Sequence, residues 1–429
     1  MTTASLTPSA LAPPPRSAPR RVALLTWDFP PVPTGLGQAA SEIAHGLVGE
    51  GVQVTVFTLD RTGIETLEGG ALTVHGCAIE DGSNLARLRK RMCAGHFAVP
   101  AAFRRAVLAA HRERPFDIVE ATNWYAPAAL LPADLSAPLV VRCSTPAIDA
   151  FDHGASWRDR TDLKFAHWLE TRTVRGATAL ISNTAHHRKT VDEVYGLSGS
   201  RLHETIALSL PDALLERGAR ARPASATGGP VFLFVGRAER RKGFDEALGA
   251  VAILANRARA CGAPLPRLIT VGLAPGDLER RCAALGLAAD LSGLVTDLGR
   301  AKERDLHAAY EACHMVLAPS RYESYGIVYR EACAFGRPFV GSADDPSARE
   351  LVAETPCGKL AAATEPAALA ETAQALWADA DDRAHRGRAG LAHARTLSRQ
   401  ALGRRTLSVY TAARAARTGE TVAAPTGAA

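Results

Sequence analysis

Two glutamates eight positions apart, Glu323 and Glu331, bracket the stretch ESYGIVYRE, with Gly326 and a run of apolar residues between them. Carboxylates spaced in this way can serve acid/base chemistry, hold a metal, grip sugar hydroxyls, or merely mark two places on a surface helix. On an ideal helix eight residues turn through about 80° and rise roughly 12 Å, whereas a glycosidase-type pair sits about 5 to 9 Å apart. With Glu323 before the helix and Glu331 inside it, the two are expected to serve different parts of one extended ligand. Upstream, Arg237 follows the apolar run VFLFVG, and Arg241-Lys242-Gly243 precedes another helical pattern. A guanidinium and an ammonium at the carboxyl end of a strand suit a diphosphate, the first as a bidentate donor and the second as a point charge. A solvated basic loop is the competing reading.

A second glycine-bearing turn lies near the amino terminus. Gly35-Leu-Gly37-Gln-Ala-Ala40 matches GxGxxA, and Asp60 closes the following strand. That is the outline of a dinucleotide fingerprint, so a nicotinamide oxidoreductase competes. The fingerprint needs its first glycine directly after the strand, and here WDFPPVPT intervenes with two adjacent prolines. Phosphate contact by loop amides at a helix start uses the same physics without that cofactor, and an ordinary helix-start loop is the third reading. The same argument applies at Gly326, where backbone can approach a ligand closely.

These residues need strands and helices to hold them. VALLTW, VQVTVFT, DIVEA, PLVVR and ATALIS are short apolar runs, each followed by a helix-length segment. Continuous apolar strands alternating with helices indicate a parallel sheet covered on both faces. Residues 212–230 are polar with Gly and Pro and read as a linker, after which VFLFVG, LITVG, MVLAP and PFVGS restart the pattern. The expected domains are therefore 21–211 and 231–395, with a helix over 396–417 and disordered tails over 1–20 and 418–429. Both are expected to be doubly wound α/β, with ligands at the carboxyl ends of the strands.

The composition fits an ordinary globular protein, with 47% hydrophobic and 22% charged residues among 429. No apolar run is long enough to cross a bilayer. Eight cysteines without a CxxC argue against a zinc ribbon or a disulfide scaffold and point to the cytoplasm. A net charge of +6 suits an anionic substrate, and no aromatic–basic interleaving points to nucleic acid.

The stretch PSRYESYGIVYREACAFGRPFVGS, together with GR…RKG (236–243) and the block DLGR…DLHAAYEACHMVLAPS (297–320), resembles the signature of retaining glycosyltransferases of family 4. The resemblance runs from about Arg21 to Arg417. It implies the GT-B fold, two Rossmann-like domains facing a cleft, with the last helix crossing back to the first domain. It further implies a nucleoside-diphosphate sugar as donor substrate, no cofactor and no metal. Arg237 and Lys242 would hold the diphosphate, with backbone amides of Tyr325 and Gly326. Glu331 would take the ribose hydroxyls, and Glu323 would lie beside the transferred sugar. Gly35 and Gly37 would offer amides from the opposite domain. Asp379-x-Asp381, although similar to a metal-binding DxD, sits in an Ala-rich helical stretch and reads as a solvated face.

The chain also departs from its relatives. Ser144 stands where many carry a histidine near the far side of the sugar, which either leaves a water-filled gap or admits a larger, C6-extended or amino sugar. Thr34 replaces a first glycine. Asp344-Asp345-Pro346-Ser347 replaces a Gly-Gly loop, for a capped helix start or for a cationic ligand group. Asn123 and Trp124 end a strand facing the cleft, where Trp124 stacks on an acceptor or fills the core. LARLRKRM (85–92) offers four basic residues to solvent, to an anionic membrane or to an acceptor. The expected function is transfer of a sugar from a UDP- or GDP-linked donor to the hydroxyl or thiol of a small polar acceptor in specialised metabolism. The alternatives are a membrane-peripheral lipid or polysaccharide glycosyltransferase, a nicotinamide oxidoreductase and a non-catalytic sugar-nucleotide-binding protein.

Overall fold

Each apolar run noted above forms a parallel strand. In the computed structural model, which describes residues 18–32, 34–149, 156–199, 201–222 and 228–418, the chain forms two sheets. The first contains β1 (Arg21–Leu25), β2 (Gln53–Thr58), β3 (Ile64–Leu67), β4 (Leu72–Gly76), β5 (Ile118–Thr122), β6 (Leu139–Arg142), β7 (Ala179–Ser182) and β8 (Leu202–Thr205). Their order is β3-β4-β2-β1-β5-β6-β7-β8, parallel except for the β3–β4 pair. The second contains β9 (Val231–Val235), β10 (Arg267–Val271), β11 (Val295–Asp297), β12 (Met315–Leu317), β13 (Phe339–Ser342) and β14 (Gly358–Ala361). It is wholly parallel, in the order β11-β10-β9-β12-β13-β14. Side chains alternate between faces along a strand, so Val22 and Leu24 enter one core while Ala23 and Leu25 enter another. Phe232 and Phe234 are likewise separated from Leu233. Both faces are therefore apolar, as the unbroken runs require.

Each order reverses once. β2 lies on one side of β1 and β5 on the other; β10 and β12 flank β9 in the same manner. Outside the carboxyl ends of those central pairs the two connections diverge and leave a crevice.

The segment read as a linker begins with a helix, Asp212–Arg220, against the second domain. Leu214 is buried in that domain's core, and a Cβ at Gly218 would lie 2.1 Å from the Ala334 carbonyl. Its polar face and its glycine concealed it, because the glycine is a packing contact and not a break. Residues 223–227 lie outside the described set. The first domain also starts earlier than expected: Ala18 is buried and the Arg20 amide donates to Asp117 Oδ2 at 2.8 Å. The other residues of the two expected tails, 1–17 and 419–429, lie outside the described set, while Thr418 closes the last helix.

That helix, Arg399–Thr418, packs against helix Gly35–Gly49 of the first domain. The two backbones meet at Gly46 and Gly403, where a Cβ on Gly403 would come 2.2 Å from the Gly46 carbonyl. Arg399 spans both oxygens of the buried Glu42, at 2.8 and 3.1 Å, and Ser209 donates to the same carboxylate.

Candidate active site

The crevice between β9 and β12 holds a carboxylate flanked by two cations. After β9 the chain makes one tight turn, Arg240–Lys242, closed by Gly243 at φ 69°. A Cβ there would lie 2.3 Å from the Pro319 carbonyl, so only glycine lets the turn reach the end of β12. Across the crevice, Lys242 Nζ donates to Glu323 Oε1 at 2.6 Å and Arg241 reaches Oε2 at 3.1 Å. The Ser320 hydroxyl adds a bond at 2.8 Å. Burial raises the Glu323 pKa, but Lys242 and then Arg241 more than offset it and hold the carboxyl below its ordinary value. Glu323 is thus a fixed anion.

Asp345 orients it from behind. This fully buried carboxylate accepts from the Glu323 amide at 2.9 Å, from Ser347 N at 3.1 Å and from the Tyr329 hydroxyl at 2.6 Å. Its bond to Ser347 N caps helix Pro346–Glu354, and Asp344 accepts from Thr364 N. Asp345 is therefore spent within the protein and is not open to a cationic ligand group, whereas Asp344 is exposed, with its Oδ2 held.

Lys242, Ser320, Glu323, Gly326, Ile327 and Val328 line a pocket at this end of the crevice. Gly326 (φ 69°) caps helix Ile327–Ala334, and a Cβ on it would strike the Tyr329 ring at 2.4 Å. The first-turn amides of Ile327 and Val328 have no partner within that helix and so offer donors to an anion. Glu331, in the same helix, accepts from the Tyr310 hydroxyl at 2.7 Å, and burial pushes its pKa up to about 7.

Several expected site residues lie elsewhere. Arg237 is turned outward, its side chain 73% exposed and paired with Glu239 at 2.8 Å. Arg241 stands beside Glu323 in its place, because the glycine-closed turn carries 241 and 242 inward together. Tyr325 sends its hydroxyl to the Leu208 carbonyl in the first domain, 2.6 Å away, and is not part of the pocket wall. Asn123 is fully buried: its Oδ1 accepts from Ser144 N and Oγ, and its Nδ2 donates to Tyr195 and to the Ser144 carbonyl. It braces the Ser144 loop and has no surface to offer a ligand. Trp124, by contrast, is half-buried in the wall of a second pocket.

The dinucleotide reading of the first turn fails on its own residues. Thr34 caps helix Gly35–Gly49 by accepting from Gly37 N at 3.0 Å, so that amide is already used. A Cβ on Gly37 would meet Asp28 Oδ1 at 2.7 Å, whereas Gly35 is exposed with open space around it. Asp60 accepts from Phe29 N and from Arg61, which binds the Phe29 and Pro30 carbonyls; it ties down the proline loop and is not free for a ribose. Asp379 caps helix Ala380–Ala394. Among the described residues no group of three or more His, Cys, Asp or Glu is placed to hold a metal, and no helix is long and apolar enough to cross a membrane.

The carboxyl-end loops of the two sheets meet in direct contacts. Glu350 of helix Pro346–Glu354 accepts from the amides of Ala185 and His186, both at 2.8 Å, at the start of helix Ala185–Tyr195. Thr184 donates to the Ser324 carbonyl at 3.3 Å.

Two facing Rossmann-like domains, with the last helix returned to the first, define the GT-B class. The model for "Glycosyl transferases group 1" matches residues 217–393, and that for "Glycosyl transferase 4-like domain" matches 34–204. A D-inositol 3-phosphate glycosyltransferase of Geodermatophilus obscurus is 30% identical over 399 residues, covering 85% of this chain and 84% of that protein. One from Frankia alni is 33% identical over 215 residues, 48% of this chain, so that the match spans about half (52%) of the relative. An alpha-D-kanosaminyltransferase of Streptomyces kanamyceticus is 28% identical over 214 residues, 48% of this chain and 53% of the relative. Among solved structures, sucrose-phosphate synthase of Thermosynechococcus elongatus superposes with TM-score 0.72 at 20% identity, over 92% of this chain and all of that one. The chain belongs to the family 4-like glycosyltransferases.

Proposed function

We propose that this protein transfers a glycosyl group, with retention, from a nucleoside-diphosphate sugar to a small polar acceptor. The observation that carries the reading is the Lys242–Glu323 pair across the β9/β12 crevice, beside the open start of helix Ile327–Ala334. Lys242 and Arg241 neutralise the diphosphate with the amides of Gly326, Ile327 and Val328. Glu323 lies against the sugar and stabilises positive charge developing at its anomeric carbon, and Glu331 accepts from the ribose hydroxyls. The bond from the anomeric carbon to the diphosphate oxygen breaks, and the acceptor hydroxyl or thiol bonds to the same face. The acceptor's proton passes to the leaving diphosphate. Electrostatic stabilisation of the leaving group is the chief catalytic task.

The test is incubation with UDP- and GDP-sugars and a panel of polyol, sugar and thiol acceptors, following nucleotide release and the anomeric coupling in the product. Retained configuration is expected. Inverted product would overturn retention, and stabilisation by NAD(H) with no response to any sugar nucleotide would overturn the class of substrate.

We further propose that the donor sugar is C6-extended or an amino sugar and that the product belongs to specialised metabolism. The small side chain at Ser144 supports the first, and the relative that transfers the amino sugar kanosamine supports the second. Ser144→His should then depress turnover of an extended donor far more than that of a plain hexose donor; equal losses would remove this reading. The cytoplasm is the proposed location, on the support of eight free thiols.

A pH dependence follows from Glu331. Its raised pKa means that the neutral form's contribution to stability is complete below the ordinary carboxylate range and is lost as pH climbs through about 7. The ionised form is the better acceptor for two hydroxyls, so UDP affinity should fall about fivefold between about pH 8 and about pH 6. Calorimetric titration at both pH values checks this, and Glu331→Gln should flatten the profile at the weak end.

A further inference from the structure

Beyond the carboxyl ends of the adjacent strands β5 and β6, three buried side chains and the half-buried Ser144 form one hydrogen-bonded chain of fixed polarity. It starts at Glu170, fully buried in helix Trp157–Gly176. Both oxygens of this carboxyl group accept: Oε1 from the Tyr125 amide at 2.9 Å, and Oε2 from the Ala147 amide at 3.2 Å and the Tyr195 hydroxyl at 2.8 Å. Backbone amides can only donate, so Glu170 is held in the acceptor role at both ends. Tyr125 belongs to the loop after β5 and Ala147 to the loop after β6, and Glu170 therefore ties the two loops together. The tie bears on Tyr125 and Ala126, whose φ angles are 50° and 47°, a region that non-glycine residues keep only where their surroundings over-determine it.

The polarity then passes inward. The Tyr195 hydroxyl gives its one proton to Glu170 and accepts from Asn123 Nδ2 at 2.8 Å. Burial, and after it the Glu170 charge, push the phenol pKa up, so the hydroxyl keeps that proton. With Nδ2 turned to Tyr195, Oδ1 of the same carboxamide accepts from Ser144 N at 2.7 Å and from Ser144 Oγ at 3.0 Å. The Ser144 carbonyl is held as well, by Asn123 Nδ2 at 3.2 Å and by His187 Nε2 at 3.3 Å. The serine hydroxyl has thus committed its proton to Asn123. Thr122 Oγ1, 3.4 Å away, engages at most one of its two lone pairs and leaves the other for a ligand. The loop also lies at the contact between the domains. His187, which holds the Ser144 carbonyl, donates its amide to Thr184 Oγ1 at 3.0 Å, and that hydroxyl donates to the Ser324 carbonyl beside Glu323.

We propose that Glu170, Tyr195 and Asn123 are positioning residues that fix Ser144 Oγ as a hydrogen-bond acceptor towards the donor sugar, and that the sugar accordingly carries a hydroxyl or amino group there and not a carboxylate. The proposal rests on the reading above that Ser144 faces the C6 side of the donor. A carboxylate can only accept, so it would have to draw the Ser144 proton away from Asn123. A hydroxyl or ammonium group finds the lone pair already presented. A serine free to rotate would serve both kinds of group alike.

The test is calorimetric titration of the full chain with two donor pairs that differ only in hydroxymethyl against carboxylate at C6. These are UDP-glucose with UDP-glucuronate, and GDP-mannose with GDP-mannuronate. In the pair whose nucleotide binds, the hydroxymethyl donor should bind about tenfold more tightly, the scale of one hydrogen bond. Ser144→Ala should abolish that preference, and Tyr195→Phe, which lets the Asn123 carboxamide turn, should cut it to about threefold. No preference in the unaltered protein, or one that survives Ser144→Ala, would overturn the placement of Ser144 at C6 and the proposal with it. A preference lost in Ser144→Ala but undiminished in Tyr195→Phe would overturn the relay from Glu170 alone. So would a parallel fall in affinity for UDP or GDP by itself in Tyr195→Phe, because the hydroxyl would then support the fold at large. Binding of neither pair would overturn the donor reading on which the proposal stands.

Discussion

Lys242→Ala is expected to lower kcat/KM by about two to three orders of magnitude, the scale seen when one preorganised charge at a developing anion is removed. The ammonium stands on Glu323 Oε1 at 2.6 Å in a half-buried crevice, where a charge is screened less than in water. Its loss acts twice. The leaving diphosphate loses a counter-charge, and Glu323 loses the first of the two cations that hold its pKa down. Arg241 at 3.1 Å and Ser320 at 2.8 Å remain, so the carboxylate keeps its position while its charge is less well balanced. The damage should therefore fall mainly on kcat, with affinity for the donor's nucleoside diphosphate reduced less, because Glu331 and the helix amides are untouched. Steady-state kinetics with titration of UDP and GDP separates the two. A loss below tenfold, in a variant with unaltered circular dichroism, would remove Lys242 from the catalytic step. Arg237→Ala, by contrast, should cost little, since that side chain points to solvent and to Glu239.

The difference between Arg237 and Arg241 illustrates what the sequence could and could not convey. Both arginines sit in one short loop, and composition does not rank them. The turn closed by Gly243 decides which of them faces the crevice, and that turn is dictated by contact with Pro319, some 76 positions away. The strand pattern shows a similar division. The strands expected from the sequence, β1, β2, β5, β6, β7, β9, β10, β12 and β13, are covered on both faces and so read as unbroken apolar runs. The four strands at the sheet edges, β3, β8, β11 and β14, escaped notice, together with β4 beside the exposed β3. An edge strand has less to bury, and IETL, LHET and VTD carry polar residues accordingly. The pocket of the first domain was less legible still. Its walls come from residues 27, 89, 91, 95, 96, 99, 124, 125 and 162, which lie far apart along the chain. Asn123 misled for the opposite reason: a polar residue at a strand end invites a ligand, but here it satisfies the backbone of the neighbouring loop.

Glu120→Ala should destabilise the first domain by about 3–5 kcal/mol, the usual cost of leaving one member of a buried ion pair without its partner. Glu120 and Arg142 face one another on adjacent strands β5 and β6, at 2.9 and 3.3 Å, with 1% and 7% of their side chains exposed. The last helix completes the group: the Tyr410 hydroxyl donates to Glu120 Oε2 at 2.7 Å, and Arg142 donates to Thr406 Oγ1 at 2.9 Å. Truncation at 120 therefore strands a guanidinium and a phenol inside the protein, and Arg142 Nη1 already lacks a partner. The effect should spread along the helix that ties the two domains, because Gly46 and Gly403 hold the backbones in contact only while the helix stays seated. Earlier thermal unfolding of the variant and faster proteolysis within 399–418 are the expected readouts. Replacing both partners together, Glu120→Leu with Arg142→Met, should recover most of the loss, since it removes the buried charges instead of orphaning one. If the double variant is no more stable than Glu120→Ala, the cost lies in packing against Tyr410 and not in the uncompensated charge.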